Sequence, residues 1–202
     1  MKAINLYIQY IPGRDSSGKE NQICSMLIDT FLLNYHYRET HSIRITRPSV
    51  NLYQQLLNCD LNKSRVIRYL FKIRGMRQKL STINDITRIG FIKLDEDPGK
   101  EILFGMVSNS PTFSGCEVIK SPSEFSEQTS NDIIKAVINF WVTDELSNQF
   151  VSTETRVWCG NKMKKKFRLY WFFIKPFSGL VRKMMLYQIK KQFFADESPP
   201  AM

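Results

Sequence analysis

Residues 162–191 read KMKKKFRLYWFFIKPFSGLVRKMMLYQIKK, thirty positions with ten Lys or Arg and no Asp or Glu. The whole chain carries 29 basic and 19 acidic side chains, so this segment alone supplies the formal surplus of +10 and the remaining basic and acidic groups balance. At 100° per residue Met163, Phe167, Tyr170, Ile174, Val181 and Met185 fall within one narrow arc, while Lys165, Arg168, Lys175, Lys183 and Lys190 lie on the opposite side. The spacing predicts one long amphipathic helix. Phe167, Tyr170, Trp171, Ile174 and Phe177, on or near its apolar side, need a large concave partner, and the strand-like segments upstream are what the chain offers to cover them. Pro176 removes one backbone hydrogen bond inside this helix and is expected to kink its axis.

Upstream of the helix, residues 149–159 and 131–143 read as strands. In the latter Ile134, Ala136, Ile138, Phe140 and Val142 form a wholly apolar alternate set that should face inward, with Lys135 and Asn139 on the other face. In the former the small set Val151, Thr153, Thr155 and Val157 is assigned to the concave face, and Ser152, Glu154 and Arg156 to the outer one. Residues 41–46, 88–94, 101–107 and 115–120 also read as strands, with turn material at 95–99 and 143–148; 101–107 is apolar on both faces, so its period does not orient it. Residues 28–34 are an apolar stretch. Residues 51–57 and 64–73 read as two short helices, the second with Ser64 as N-cap. The order is strand, two short helices, a run of strands and one long helix, an α+β arrangement.

Length and composition narrow the class. A chain of 202 residues with 43% hydrophobic and 12% aromatic content can bury roughly 70% of its unfolded surface, enough for one core. The uncharged apolar run at 169–174 is far shorter than the roughly 20 residues that span a bilayer. Asn5, Gln9 and the lack of a small-residue cleavage site speak against a secretory signal, and a cytoplasmic location is the expectation. Cys24, Cys59, Cys116 and Cys159 form no CxxC pair and the histidines are His36 and His41 alone, which argues against zinc and for free, mostly buried thiols. No cofactor is expected. GRDSSGK at 13–19 has the spacing of a phosphate loop, but Glu20 stands where a hydroxyl should meet Mg²⁺, so the segment reads as a loop.

VSTETRV at 151–157, FRLYW at 167–171 and IKPFSGLVR at 174–182 resemble the C-terminal strand and helix of bacterial members of the START-like superfamily, the helix-grip fold of the polyketide cyclase/dehydrase and lipid-transport group. IDTF at 28–31, YHYRE at 35–39, residues 65–75 with Phe71 and Arg74, Gly90, Phe91 and PGKEI at 98–102 are similar to upstream parts of the same relatives. The resemblance divides the chain into an N-terminal extension at 1–27, a helix-grip domain at 28–195 and a tail at 196–202. It implies a curved antiparallel sheet wrapped round the long helix, with a cavity between them that takes an apolar ligand.

On that reading the chain binds, and in one version transports, a hydrophobic small molecule or lipid, with Phe91, Phe104, Ile138, Phe140, Thr153, Thr155, Phe167, Tyr170 and Ile174 as the ligand-binding set. A cyclase or aromatase acting on a polyketide-like substrate is the alternative, with Glu154, Arg156, Tyr170 or Asn139 orienting it. A third reading is an interaction protein whose pocket its own side chains fill. His36 and His41 have no nucleophile tied to them by sequence and read as surface residues, and Glu154 with Arg156 reads more readily as a solvent-facing pair. The basic helix face admits a weak electrostatic contact with an anionic membrane surface, the apolar stripe being spent on the sheet. No nucleic-acid module is recognisable, since the aromatic residues sit on the stripe rather than among the lysines.

Overall fold

Strands β1 (Tyr37–Ile45), β2 (Ile92–Asp97), β3 (Glu101–Ser108), β4 (Ile134–Glu145) and β5 (Asn148–Cys159) form one curved, open antiparallel sheet in the order β1-β5-β4-β3-β2. The computed structural model describes residues 26–46, 51–73, 81–113, 119–145 and 148–196. The phosphate-loop-like segment, the N-terminal residues to 25, most of the strand expected at 115–120 and the tail from 197 lie outside them. The expected α+β helix-grip architecture is the observed one, with α2 (Leu52–Asn58) and α3 (Arg65–Ile73) after the first strand and α5 (Lys164–Asp196) at the end.

Local chemistry accounts for the element ends. Ser64 Oγ accepts from the Ile67 N–H at 3.3 Å and so caps α3, as its position before an apolar run predicts. Gly90, at φ 96°, stops the 3-10 turn Asn84–Ile89 in the left-handed region that only glycine enters freely. Helix α5 runs unbroken through Pro176.

The inward faces of β4 and β5 are those expected. Ile138, Phe140, Val142 and Val151 share a core with Ile102 and Phe104 of β3, with α2, and with Val181, Met185, Leu186, Ile189 and Phe193 of α5. A neighbouring core joins Ile134, Ala136, Val157 and Cys159 to Met163 and Phe167 at the start of α5. Helix α5 therefore grips the sheet along its length.

The opposite face departs from expectation. Instead of meeting solvent it is covered by α1 (Leu27–Phe31) and α4 (Pro122–Glu127), which bury Leu103, Val107, Ile133 and Val137 beneath Ile28, Leu32 and Phe125. This explains why β3 is apolar on both faces: every residue from Glu101 to Ser108 is buried. Glu154 and Arg156 lie on this outer face but are only 1% and 6% exposed. Arg156 Nε donates to Glu154 at 2.6 Å, and its NH1 group meets Asp29 at 2.7 Å and the Leu32 carbonyl at 3.1 Å. Arg38 binds both Glu154 oxygens at 2.8 Å. Two cations thus balance two anions, and the Arg156 guanidinium sits at the C-terminal end of α1, where a positive charge is favoured. The N-terminal end of α1 is held by Glu101, whose Oε2 accepts from the Leu27 N–H at 2.9 Å and whose Oε1 accepts from Asn139 at 2.6 Å.

Glu154→Ala would leave Arg156 buried with Asp29 as its remaining anion and should cost about 3 kcal/mol. Arg38→Ala, at the half-exposed end of the network, should cost less than about 1 kcal/mol. Urea unfolding of the two variants measures the contrast, and equal losses would refute the inner–outer distinction.

Candidate ligand-binding site

Two adjacent rungs of the sheet run beneath α5, and each changes from polar to apolar as it crosses the strands. Register places His41 of β1 opposite Thr153 of β5, Thr153 opposite Phe140 of β4, and Phe140 opposite Ile102 of β3. The next rung is Glu39, Thr155, Ile138 and Phe104. Alternation along each strand puts all eight side chains on the helix side, because they share parity with the core residues Ile45, Val151, Val142 and Ile102. From β1 to β3 is three strand spacings, about 14 Å.

Over the polar end lies the middle of α5. A Cβ on Gly179 would fall upon Glu39 Oε1, so the absence of a side chain there is what lets the helix approach β1. One turn later Arg182 NH1 donates to Glu39 Oε2 at 2.6 Å. His41 Nε2 lies 2.9 Å from Glu39 Oε1. Since an ionised carboxylate only accepts, His41 Nε2 is the nitrogen that carries the hydrogen in this contact. Burial acts to raise the Glu39 carboxyl, but the hydrogen bond from His41 and the charge of Arg182 outweigh it and hold the group below its ordinary value. His41 is therefore not the surface residue expected from sequence. His36 is exposed, and its Nδ1 accepts from the Cys159 N–H at 3.1 Å.

Thr153 and Thr155 are 0% and 7% exposed, and neither hydroxyl has a hydrogen-bond partner among the described residues. Buried hydroxyls are ordinarily satisfied, and leaving one unpaired costs about 1–3 kcal/mol. These two lie side by side, between a charged cluster and an apolar floor.

Of the residues expected to bind ligand, Phe104, Ile138, Phe140, Thr153 and Thr155 fall on these two rungs. Phe167 and Tyr170 stand nearer the start of α5 in an aromatic group with Tyr37, Phe113 and Trp171, the Tyr37 and Phe167 centroids being 5.1 Å apart. Phe91 packs against both this group and the larger core. Ile174 is half-buried and belongs to neither core. Phe177, expected near the buried side, is exposed. Glu39, His41 and Arg182 were not foreseen as a site; the signal was the alternation of two ionisable residues with Tyr37 and Ile43 on one strand face. Glu154, Arg156 and Asn139, the polar set considered for catalysis, are on the far side of the sheet from Tyr170.

The chain belongs by fold with curved α+β sheets closed by a terminal helix. No family model matches it, and no curated protein matches it significantly. Among solved structures it is similar to MLL2253 of Mesorhizobium loti, at 11% identity and a TM-score of 0.38, and to TTHA0849 of Thermus thermophilus, at 8% identity and 0.32. Each comparison covers 80% of this chain and 100% of the other. Scores of this size bear on neither ligand nor activity.

Arg182→Met would leave Glu39 buried beside His41 alone and should cost about 3 kcal/mol. The Glu39 carboxyl sits lower in the folded than in the unfolded chain, so its stabilisation is complete above the ordinary carboxylate value of 4.5 and is lost as pH falls through the depressed folded value. The urea midpoint of the wild type should therefore drop on acidification below that value. In Glu39→Gln the profile should be flatter there and lower at neutral pH, and an unchanged acid limb would exclude the assigned role.

Proposed function

We propose that the chain is a START-like binding domain that takes an amphipathic small molecule or lipid between the sheet and α5. The apolar body lies along Phe140, Ile138, Phe104 and Ile102, and the head points toward Thr153 and Thr155. The observation that carries this reading is the pair of buried hydroxyls with no partner among the described residues, set where the rungs change from polar to apolar. Glu39 and Arg182 neutralise one another, so the head that fits is an uncharged hydrogen-bonding group such as a hydroxyl, carbonyl or amide rather than a bare anion. Retention and release of such a molecule is the role we assign, with transport its simplest extension.

The cyclase-type alternative has less support. Its best residues, Glu154 and Arg156, are engaged with Arg38, Asp29 and α1 on the other face. Glu39, the carboxylate on the ligand side, accepts from two donors and is held below its ordinary value, which makes it a weak general base at neutral pH.

Native mass spectrometry of the purified chain should find a co-purified amphipathic molecule. Diphenylhexatriene should fluoresce in the presence of the wild type, and dodecanol should displace it at about tenfold lower concentration than dodecane, the equivalent of one net hydrogen bond. Thr153→Val with Thr155→Val should abolish that preference and raise the urea midpoint, because the unpartnered hydroxyls are replaced by methyls. No bound molecule together with no probe fluorescence would overturn the reading in favour of an interior filled by the protein itself.

A further inference from the structure

The side of α5 turned away from the sheet is not the uniformly charged face that the helical wheel suggests. Leu169, Phe172 and Phe173 are 66%, 75% and 63% exposed, and Phe177 and Leu180 are exposed beyond them. Their spacing from Leu169 of three, four, eight and eleven places all five within the same half of the helix, along about 16 Å of its length. Phe172 and Phe173 pack edge to face, with centroids 5.4 Å apart, so the two rings cover one another while both stay in solvent. Monomeric proteins seldom leave a contiguous aromatic strip of this kind open to water.

Charge identifies what covers it. Lys165 and Lys166 precede the strip and Lys183 follows it on the same half of the helix, while Arg168 and Lys175 flank it. All five are exposed and form no salt bridge among the described residues. A second copy docked through the same strip would bring two such basic rims together. The chain's own first 25 residues hold three basic and two acidic side chains and offer no negative complement. An apolar strip bordered by lysines matches an anionic bilayer, in which the rings enter the acyl boundary and the ammonium groups stay among the phosphates.

We propose that the outer face of α5, through Leu169, Phe172, Phe173, Phe177 and Leu180 within their basic rim, docks the protein on an anionic lipid surface. Docking here involves shallow insertion as well as charge, because α5 has apolar surface left after it has covered the sheet. No described helix is long and apolar enough to cross a membrane, so the attachment is peripheral and reversible. It uses the opposite side of the helix from the ligand site, and neither proposal rests on the other.

Co-sedimentation with vesicles of phosphatidylcholine containing a third phosphatidylglycerol tests the proposal directly. The wild type should partition at least tenfold more strongly to these than to pure phosphatidylcholine, and raising the salt should weaken the interaction. Phe172→Ser with Phe173→Ser should lower partitioning at least tenfold even at low salt, which charge alone would not produce. Lys165→Glu with Lys183→Glu should lower it to a similar extent, and both double variants change exposed side chains, so their melting curves should match the wild type. Partitioning that ignores lipid charge, or that survives the loss of both rings, would overturn the proposal. Tighter binding to a single-stranded oligonucleotide than to vesicles, or a dimer in sedimentation velocity that Phe172→Ser dissolves, would do the same and assign the face to that partner.

Discussion

Helix α5 meets the sheet at its edge strand through a glycine and an ion pair, and much of the molecule is arranged round that contact. Gly179 lets the helix backbone approach the Glu39 carboxylate, and Arg182, one turn on, closes over it. The glycine is a liability in a helix interior, by about 1 kcal/mol relative to alanine. Here it buys proximity to a buried charge that would otherwise have no cation. The geometry is mutually dependent: without the close approach the Arg182 side chain could not reach, and without Arg182 a carboxylate under a helix would be expelled to solvent or protonated.

The rest of the helix then has little freedom in where it lies. Its first half rests on Tyr37, Ala136, Val157 and Cys159, and its second half on the core that includes α2 and the C-terminal halves of β1 and β4. The Glu39 contact falls between these two greasy patches. Polar groups concentrated at one point of an apolar contact fix the position of one layer on another, since sliding the helix would unpair them. They also set up the gradient along the two rungs, with charge at β1, hydroxyls at β5 and hydrocarbon at β4 and β3. On the far side of the sheet the same economy is seen in another form. There Arg156 and Glu101 tie the two ends of a five-residue helix that would be far too short to persist alone.

What was legible in the chain follows from periodicity, and what was not follows from partners distant in sequence. The 162–191 segment and the alternation in β4 and β5 have periods that a single element reveals, so the helix, both inward faces and four of the residues on the two rungs, Ile138, Phe140, Thr153 and Thr155, are legible directly. Helix α1 reads from sequence only as an apolar stretch, because five residues make little more than one helical turn and its ends are capped by Glu101 and Arg156, which lie more than seventy residues away. Helix α4 carries a local signal in its Ser-x-x-Glu start: Ser121 Oγ accepts from the Glu124 N–H at 3.2 Å, and Glu124 reaches back to accept from the N–H of Lys120, one residue before the cap, at 2.8 Å. Without these two helices the second cover of the sheet is invisible in the sequence, and a buried ionic network reads as a solvated pair. Glu39, His41 and Arg182 are separated by up to 143 residues and meet only because β1 inserts beside the last strand.

The aromatic excess of α5 has a similar explanation. A helix that serves one sheet needs one apolar stripe, with the remainder polar. Between Leu169 and Leu180 this helix has apolar residues on both sides, whereas from Val181 to Phe193 its exposed residues are Lys183, Tyr187 and Lys191. Core packing therefore explains Phe167, Val181, Met185, Ile189 and Phe193 but leaves Phe172, Phe173 and Phe177 without a reason inside the fold. The basic groups bracket the very stretch where that second apolar side occurs. Solubility alone would call for charges spread round the molecule and for fewer exposed rings, and the coincidence of a one-signed rim with an uncovered aromatic strip is the ground on which the proposed docking rests.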